Sequence, residues 1–196
     1  MKLLLIADEV EPYLYDYYRP GILRDYDMIL SAGDLKRTYL EFLVTMANRP
    51  LLYVHGNHDK LFETQPPEGC DCADDKLIVC KGLRILGFGG CMMYNGSGYQ
   101  YTEKQMAKRI RKCRRAIRKA GGVDIILTHA PPLGLGDGED LCHIGFACFR
   151  DLIEEYHPKY FIHGHQHLNY KTVSQRVRQY GETTLINACG RYELNL

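Results

Sequence analysis

The stretch Leu51-Leu52-Tyr53-Val54-His55-Gly56-Asn57-His58-Asp59 decides how this chain is read. Four apolar residues in succession describe a short buried strand, and Gly56 marks the turn at its carboxyl end. Loops in that position are where α/β proteins place ligands, and Gly56-Asn57-His58-Asp59 offers an amide oxygen, an imidazole and a carboxylate together. Four more segments end alike. Leu3 to Ala7 runs into Asp8, Met28 to Ala32 into Gly33-Asp34, Val123 to Thr128 into His129, and Tyr160 to Ile162 into His163-Gly164-His165-Gln166-His167. Five strands can therefore deliver polar side chains to one rim.

A chain of 196 residues supports one well-buried core and is short for two, so residues 1–196 are expected to form a single domain. With 45% apolar and 25% charged residues it is an ordinary globule and not a disordered or fibrous segment. A formal charge of +1 gives no overall attraction to nucleic acid or membrane. The apolar start, Leu3 to Ala7, is cut by Asp8 and reads as a first strand, not a signal peptide. No run approaches the roughly twenty apolar residues of a membrane span. Eight cysteines without a Cys-x-x-Cys pair point to reduced thiols and a cytoplasmic protein. Cys70, Cys72 and Cys80 have a spacing that suits no common structural zinc site.

Between the rim segments the chain punctuates itself. Tyr13 to Tyr18 is tyrosine-dense and bracketed by Pro12 and Pro20-Gly21, a loop or short helix that either covers a sheet edge or walls a substrate ring. Leu40, Leu43, Val44 and Ala47 recur at helical spacing within Leu35 to Asn48. Leu77 to Val79 and Leu83 to Leu86 are short strands about the Lys81-Gly82 turn. Gly87-Phe88-Gly89-Gly90 lacks the third glycine of a dinucleotide fingerprint and reads as close backbone approach; Met92 to Gln100 reads as a flexible connector. Thr102 to Ala120 is the clearest helix, with Thr102 and Gln105 as a capping box, Met106, Ile110, Cys113 and Ile117 as its apolar stripe, and Gly121-Gly122 as its stop. Its remaining face, including Lys104, Lys108, Arg109 and Arg111, is basic and either solvated or suited to a polyanion. Phe146 to Tyr156 is helical, and Thr184 to Ala188 and Tyr192 to Leu196 close the chain as antiparallel strands.

The rim set of Asp8, Asp34, Asn57, His129, His165 and His167 mixes oxygen and nitrogen donors. That mixture suits divalent manganese, iron, zinc, nickel or cobalt and disfavours a calcium cage or a thiolate site. The ordered series Asp8, Gly33-Asp34, Gly56-Asn57-His58-Asp59, His129 and Gly164-His165-Gln166-His167 resembles the calcineurin-like metallophosphoesterase superfamily across nearly the whole chain. The resemblance implies an α/β fold, a four-layer αββα sandwich of two mixed β-sheets with helices outside, and two divalent metal ions at the strand ends, manganese favoured. It also implies that Asp34 bridges the two, that Asn57, His129 and His165 complete one site, and that Asp8 and His167 serve the other. His58 would stand beside the scissile phosphate with Asp59 orienting it. The family's opening Asp-x-His is altered here, because Val10 replaces the histidine and cannot ligate. Weak occupancy of the first metal site is therefore the expectation; the alternatives are a substitute ligand from Glu9, Glu11 or Asp16, or an added water.

The expected function is hydrolysis of a small or nucleotide-like phosphodiester or phosphomonoester. Two cations about 3.5–4 Å apart neutralise phosphoryl oxygens and acidify a bridging water, giving a hydroxide for in-line attack. The loop from His129-Ala130-Pro131-Pro132 to Asp137 leans towards diesters, and Asp137, Asp140 and His143 either face substrate or cap the loop. Two other readings compete: a single-metal pseudoenzyme acting as a binding module, and a nuclease guided by the basic helix 102–120.

Overall fold

The computed structural model describes residues 1–168 and 176–196. The chain opens with β1 (Lys2–Ala7) and β2 (Met28–Ser31), joined through a 3-10 turn at Pro12–Leu14. Helix α1 (Arg37–Ala47) and β3 (Leu51–Tyr53) follow, then a 3-10 turn at Asp59–Glu63 and the short β4 (Asp71–Cys72). The hairpin of β5 (Lys76–Cys80) and β6 (Leu83–Phe88) leads to β7 (Cys91–Met92) and β8 (Gln100–Tyr101). Helix α2 (Glu103–Ala120), β9 (Ile125–Thr128), α3 (Ala147–Tyr156) and β10 (Tyr160–His163) come next. The chain ends with β11 (Val177–Tyr180), β12 (Thr183–Asn187) and β13 (Gly190–Asn195).

Two mixed sheets result. The first has the order β13-β1-β2-β3-β4, parallel except where β13 runs against β1. The second has the order β11-β12-β10-β9-β6-β5, with a parallel centre from β12 to β6 and an antiparallel strand on each edge. Central parallel strands must be apolar on both faces, and the sequence supplies that: Leu3 to Ala7 and Ile125 to Leu127 are at most 1% exposed. Leu3, Leu5, Met28, Leu30 and Leu52 of the first sheet face Ile85, Ile125, Leu127, Ile162 and Ile186 of the second. Each such side chain, fully withdrawn from water, stabilises the fold by about 1.5–3 kcal/mol.

The outer faces are covered by helices. Leu4, Ile6, Ile29 and Leu51 pack against Tyr39, Leu40 and Leu43 of α1, while Leu86, Ile126 and Phe161 pack against α2 and α3. The four layers expected from the sequence are thus present. Helix α1 starts two residues later than its periodicity indicates, because Leu35 is used in the core outside the helix. Helix α2 has the capping box of Thr102 and Gln105 and stops at left-handed Gly121, as its sequence requires.

Two expectations need correction. Arg109 does not belong to the solvent face of α2: it turns inward, 9% exposed, and its guanidinium bonds the Gly89 carbonyl at 2.8 Å, Asp75 at 2.8 Å and Asp74 at 3.2 Å. Met92 to Gln100 is not a loose connector. β7 pairs with β8, and the Gln100 side-chain oxygen accepts the amides of Tyr94, Asn95 and Gly96, each at 3.1 Å. In the tyrosine-rich stretch, Tyr15 and Tyr18 lie edge-on to Phe42 of α1, so these two rings are packing residues.

Candidate metal centre

The carboxyl ends of β1, β2 and β3 from one sheet meet those of β9 and β10 from the other. The approach is close enough to demand glycine. A Cβ on Gly33 would lie 2.5 Å from the Gly56 nitrogen, and one on Gly56 would lie 2.0 Å from Asp34 Oδ1. Across the sheets, a Cβ on Gly164 would lie 2.7 Å from that of Ala7. Asp8, Asp34 and His165 are themselves held at φ of 61°, 57° and 66°, a left-handed conformation that costs roughly 1–2 kcal/mol for a non-glycine residue. Strain of that kind persists where surrounding structure over-determines it, and here it turns three candidate ligands into the rim.

Asp34 is the hub. Its Oδ1 accepts the His58 amide at 2.8 Å and its Oδ2 lies 3.3 Å from His129 Nε2. That same Nε2 is 3.0 Å from Asn57 Oδ1. The other ring nitrogen, Nδ1, donates to the Ala32 carbonyl at 2.7 Å, which leaves Nε2 as the nitrogen facing the carboxylate and the amide oxygen. Asn57 is oriented by its own amide nitrogen, 3.5 Å from the Tyr94 hydroxyl. His165 donates through Nε2 to the Cys142 carbonyl at 2.6 Å, so its Nδ1 is the nitrogen left to ligate. Ligand atoms of Asp34, His129 and His165 all lie within 4.8 Å of one another. Donors bound about 2.0–2.3 Å from a common cation stand roughly 3.3–3.8 Å apart, so the Asp34–His129 separation fits a shared ion.

The electrostatics show what the cluster lacks. Burial alone would lower the His129 imidazole, yet Asp34 and Asp8 outweigh it and push it up to about 9. Burial raises Asp34, but His129 and the His58 amide overcome that and draw it down to about 2. Burial lifts Asp8 to about 6 despite His129 nearby, and it lowers His165 to about 3, aided by the charge of His129. A protonated His129 thus stands in for positive charge between two partly buried carboxylates. Oxygen and nitrogen donors converging on that deficit fit divalent cations.

The other sequence candidates are distributed unequally. Asp8 accepts the His165 amide through both oxygens at 3.0 Å. Asp59 is buried, and its Oδ2 accepts the amides of Asp34 at 2.9 Å and Gly56 at 2.7 Å, a tie between two loops. The His58 side chain is exposed beside Asp34, over a groove of about 660 Å³ that includes Lys36, Arg37, Leu61 and Phe62. His167 is not gathered with Asp34; its Nδ1 lies 3.3 Å from Glu9 Oε1. Asp137 caps its own loop through the amides of Gly134 at 2.7 Å and Gly145 at 3.0 Å. His143 bonds Asp140 at 2.8 Å, with its ring 5.3 Å from that of His165.

Sequence reasoning missed the support behind Asn57. His55 bonds Asp74 through Nδ1, and Asp74 also receives the Gly89 amide and Arg109. His55 stacks on Tyr99 at 4.3 Å. One signal was available: Arg109 falls on the apolar stripe, three residues after Met106 and four before Cys113, where an arginine implies a buried partner.

A four-layer sandwich with carboxylate, amide and imidazole donors at its strand ends defines a metallophosphoesterase-type fold. The chain belongs to the calcineurin-like phosphoesterase family, whose profile matches residues 11–169. Membership implies divalent metal ions and phosphoester hydrolysis as the family's chemistry. Two Caenorhabditis elegans proteins are similar to it. The UPF0046 protein C25E10.12 is 30% identical over 61% of this chain, and the UPF0046 protein K07C11.7 is 27% identical over 96% of it. The matches span 41% and 69% of those relatives' own lengths. The crystal structure of TT1561 of Thermus thermophilus shares the fold, with TM-score 0.67 at 15% identity over 96% of this chain and 88% of that one.

Proposed function

We propose that this chain is a metal-dependent hydrolase of a small or nucleotide-like phosphodiester or phosphomonoester, working with a binuclear centre. The observation that carries the reading is the convergence of Asp34, Asn57, His129 and His165, with the His129 and His165 rings each fixed by a backbone carbonyl. These four would hold one cation, and Asp8 and His167, in the loops after β1 and β10, would serve the other. When bound, such ions supply charge neutralisation for phosphoryl oxygens and an acidified water. Manganese is the favoured metal on the donor set.

The chain's own residues divide the remaining work. Asp34 and Asp59 lock the Gly56-to-Asp59 loop through backbone amides, which sets the position of His58. The His58 side chain, free of those ties and exposed, steadies the phosphoryl group or gives a proton to the departing oxygen. The adjoining groove has Leu61 and Phe62 as apolar wall and Lys36 as a cation, a lining suited to an organic leaving group. The test is hydrolysis of p-nitrophenyl phosphate and bis(p-nitrophenyl) phosphate by metal-stripped protein with manganese, cobalt, nickel, zinc or iron returned. Metal-dependent turnover that His58→Ala removes is the expected result. Silence on both esters across all five metals defeats the reading.

A further inference from the structure

Val10 stands where the family motif has a ligating histidine, and the structure shows where it went. Its side chain is partly buried against Leu14, Tyr39 and the rest of the outer core beside α1. The neighbouring residue has different partners. Glu9 Oε1 lies 3.3 Å from His167 Nδ1, and with Cys189 Sγ these ligand atoms lie within 4.8 Å of one another. Cys189 is 2% exposed and is bridged to Ala7, so it flanks Asp8 from the adjoining backbone. The set shares no residue with Asp34, His129 and His165, and Asp8 lies between them in the chain's bonding, next to Glu9 in sequence and accepting the His165 amide at 3.0 Å.

We propose that Glu9 and Cys189, with Asp8 and His167, form the first cation site of this chain, a carboxylate and a thiolate standing in for the missing imidazole. The proposal rests on the metal-dependent reading above and deepens it by naming the donors. The spacing favours a cation over a simple ion pair: 3.3 Å is long for a charge-assisted hydrogen bond, which closes to about 2.7–2.9 Å, and matches the roughly 3.3–3.8 Å between donors on one ion. The other two donor clusters outside the centre among the described residues behave differently. His55 and Asp74 are in direct hydrogen-bond contact, and His143 sits 2.8 Å from Asp140, leaving no room for an ion between either pair. Exchanging a neutral imidazole for a carboxylate and a thiolate makes the site more anionic and softer. It should therefore select cobalt, iron or zinc over magnesium.

Cobalt binding to metal-stripped full-length chain tests this without reference to turnover. The wild type should take two equivalents, and the first-site ion should show a near-ultraviolet thiolate-to-cobalt band. Glu9→Gln should weaken one equivalent at least tenfold and leave the other unchanged. Cys189→Ser, checked for an intact fold by circular dichroism, should erase the band, and Cys189→Ala serves if the serine variant fails to fold. A wild-type cobalt spectrum without that band, or a binding isotherm unmoved by Glu9→Gln, overturns the proposal while leaving the Asp34–Asn57–His129–His165 site standing. No cobalt bound by the wild type at all overturns the metal-dependent reading itself.

Discussion

The two halves of the rim differ in how firmly they are built. Around Asp34 and His129 the side chains are 12% and 0% exposed, and a backbone amide and a backbone carbonyl fix these two donors. Around Glu9 and His167 they are 55% and 61% exposed, and one long contact joins them. The first half is preorganised, so a cation entering it loses little side-chain freedom. The second must order two mobile side chains on binding, at roughly 1–2 kcal/mol each. The lesson is that affinity in such a rim is set by the support behind the donors as much as by their identity.

Substitutions test that contrast directly. Asp34→Ala should have the largest effect, lowering kcat/KM by at least about a thousandfold and depleting bound metal at the Asp34–His129 site, read by elemental analysis beside the assay. His58→Ala should cost about 10²–10⁴ in kcat with metal content intact, since its side chain is outside the donor set. Asp59→Ala should destabilise the metal-free protein by about 2–3 kcal/mol in urea melts, because two amides on the buried half lose their acceptor. At the small end, Val10→His should change first-site affinity by less than about threefold in a cobalt titration, since position 10 faces the core against α1. A large gain there would show the loop free to turn over, and the contrast between halves would lose its basis.

The buried half also has a pH signature. His129 titrates at about 9 in the folded chain against an ordinary 6.5, so its protonated form adds stability below pH 6.5 that drains away as pH rises to about 9. His55, whose burial would lower it but whose bonds to Asp74 and Cys72 raise it to about 9, adds to the same trend. Thermal melts of metal-free protein should therefore fall across that window. Excess manganese should flatten or reverse the fall, because a ligating His129 is neutral; melts that fall equally with and without metal count against ligation by His129.

The strand ends were legible in the sequence because an apolar run cut short by Asp, Gly-Asp or His has a single physical reading in a buried parallel sheet. The capping box of α2 was legible for the same reason: its partners are three residues apart. What escaped depends on distant chain. Arg109 looked solvated because its partners, Asp74, Asp75 and Gly89, lie 20 to 35 residues away. The tie from Asp59 to the Asp34 and Gly56 amides needs the two loops already side by side. The antiparallel seat of β13 beside β1 joins residues more than 180 positions apart, and no local pattern encodes that choice of partner.

Asp8, Asp34 and Asn57 ride on one sheet, while His129 and His165 ride on the other. An ion shared between them would act as a crosslink across the sandwich, clamping both leaves at the same end where hydrocarbon packing gives way to polar groups. Amide exchange in Ala32, Gly33 and Gly164 would then report metal loading as a slowing of sheet separation, with the opposite end of the strands unaffected.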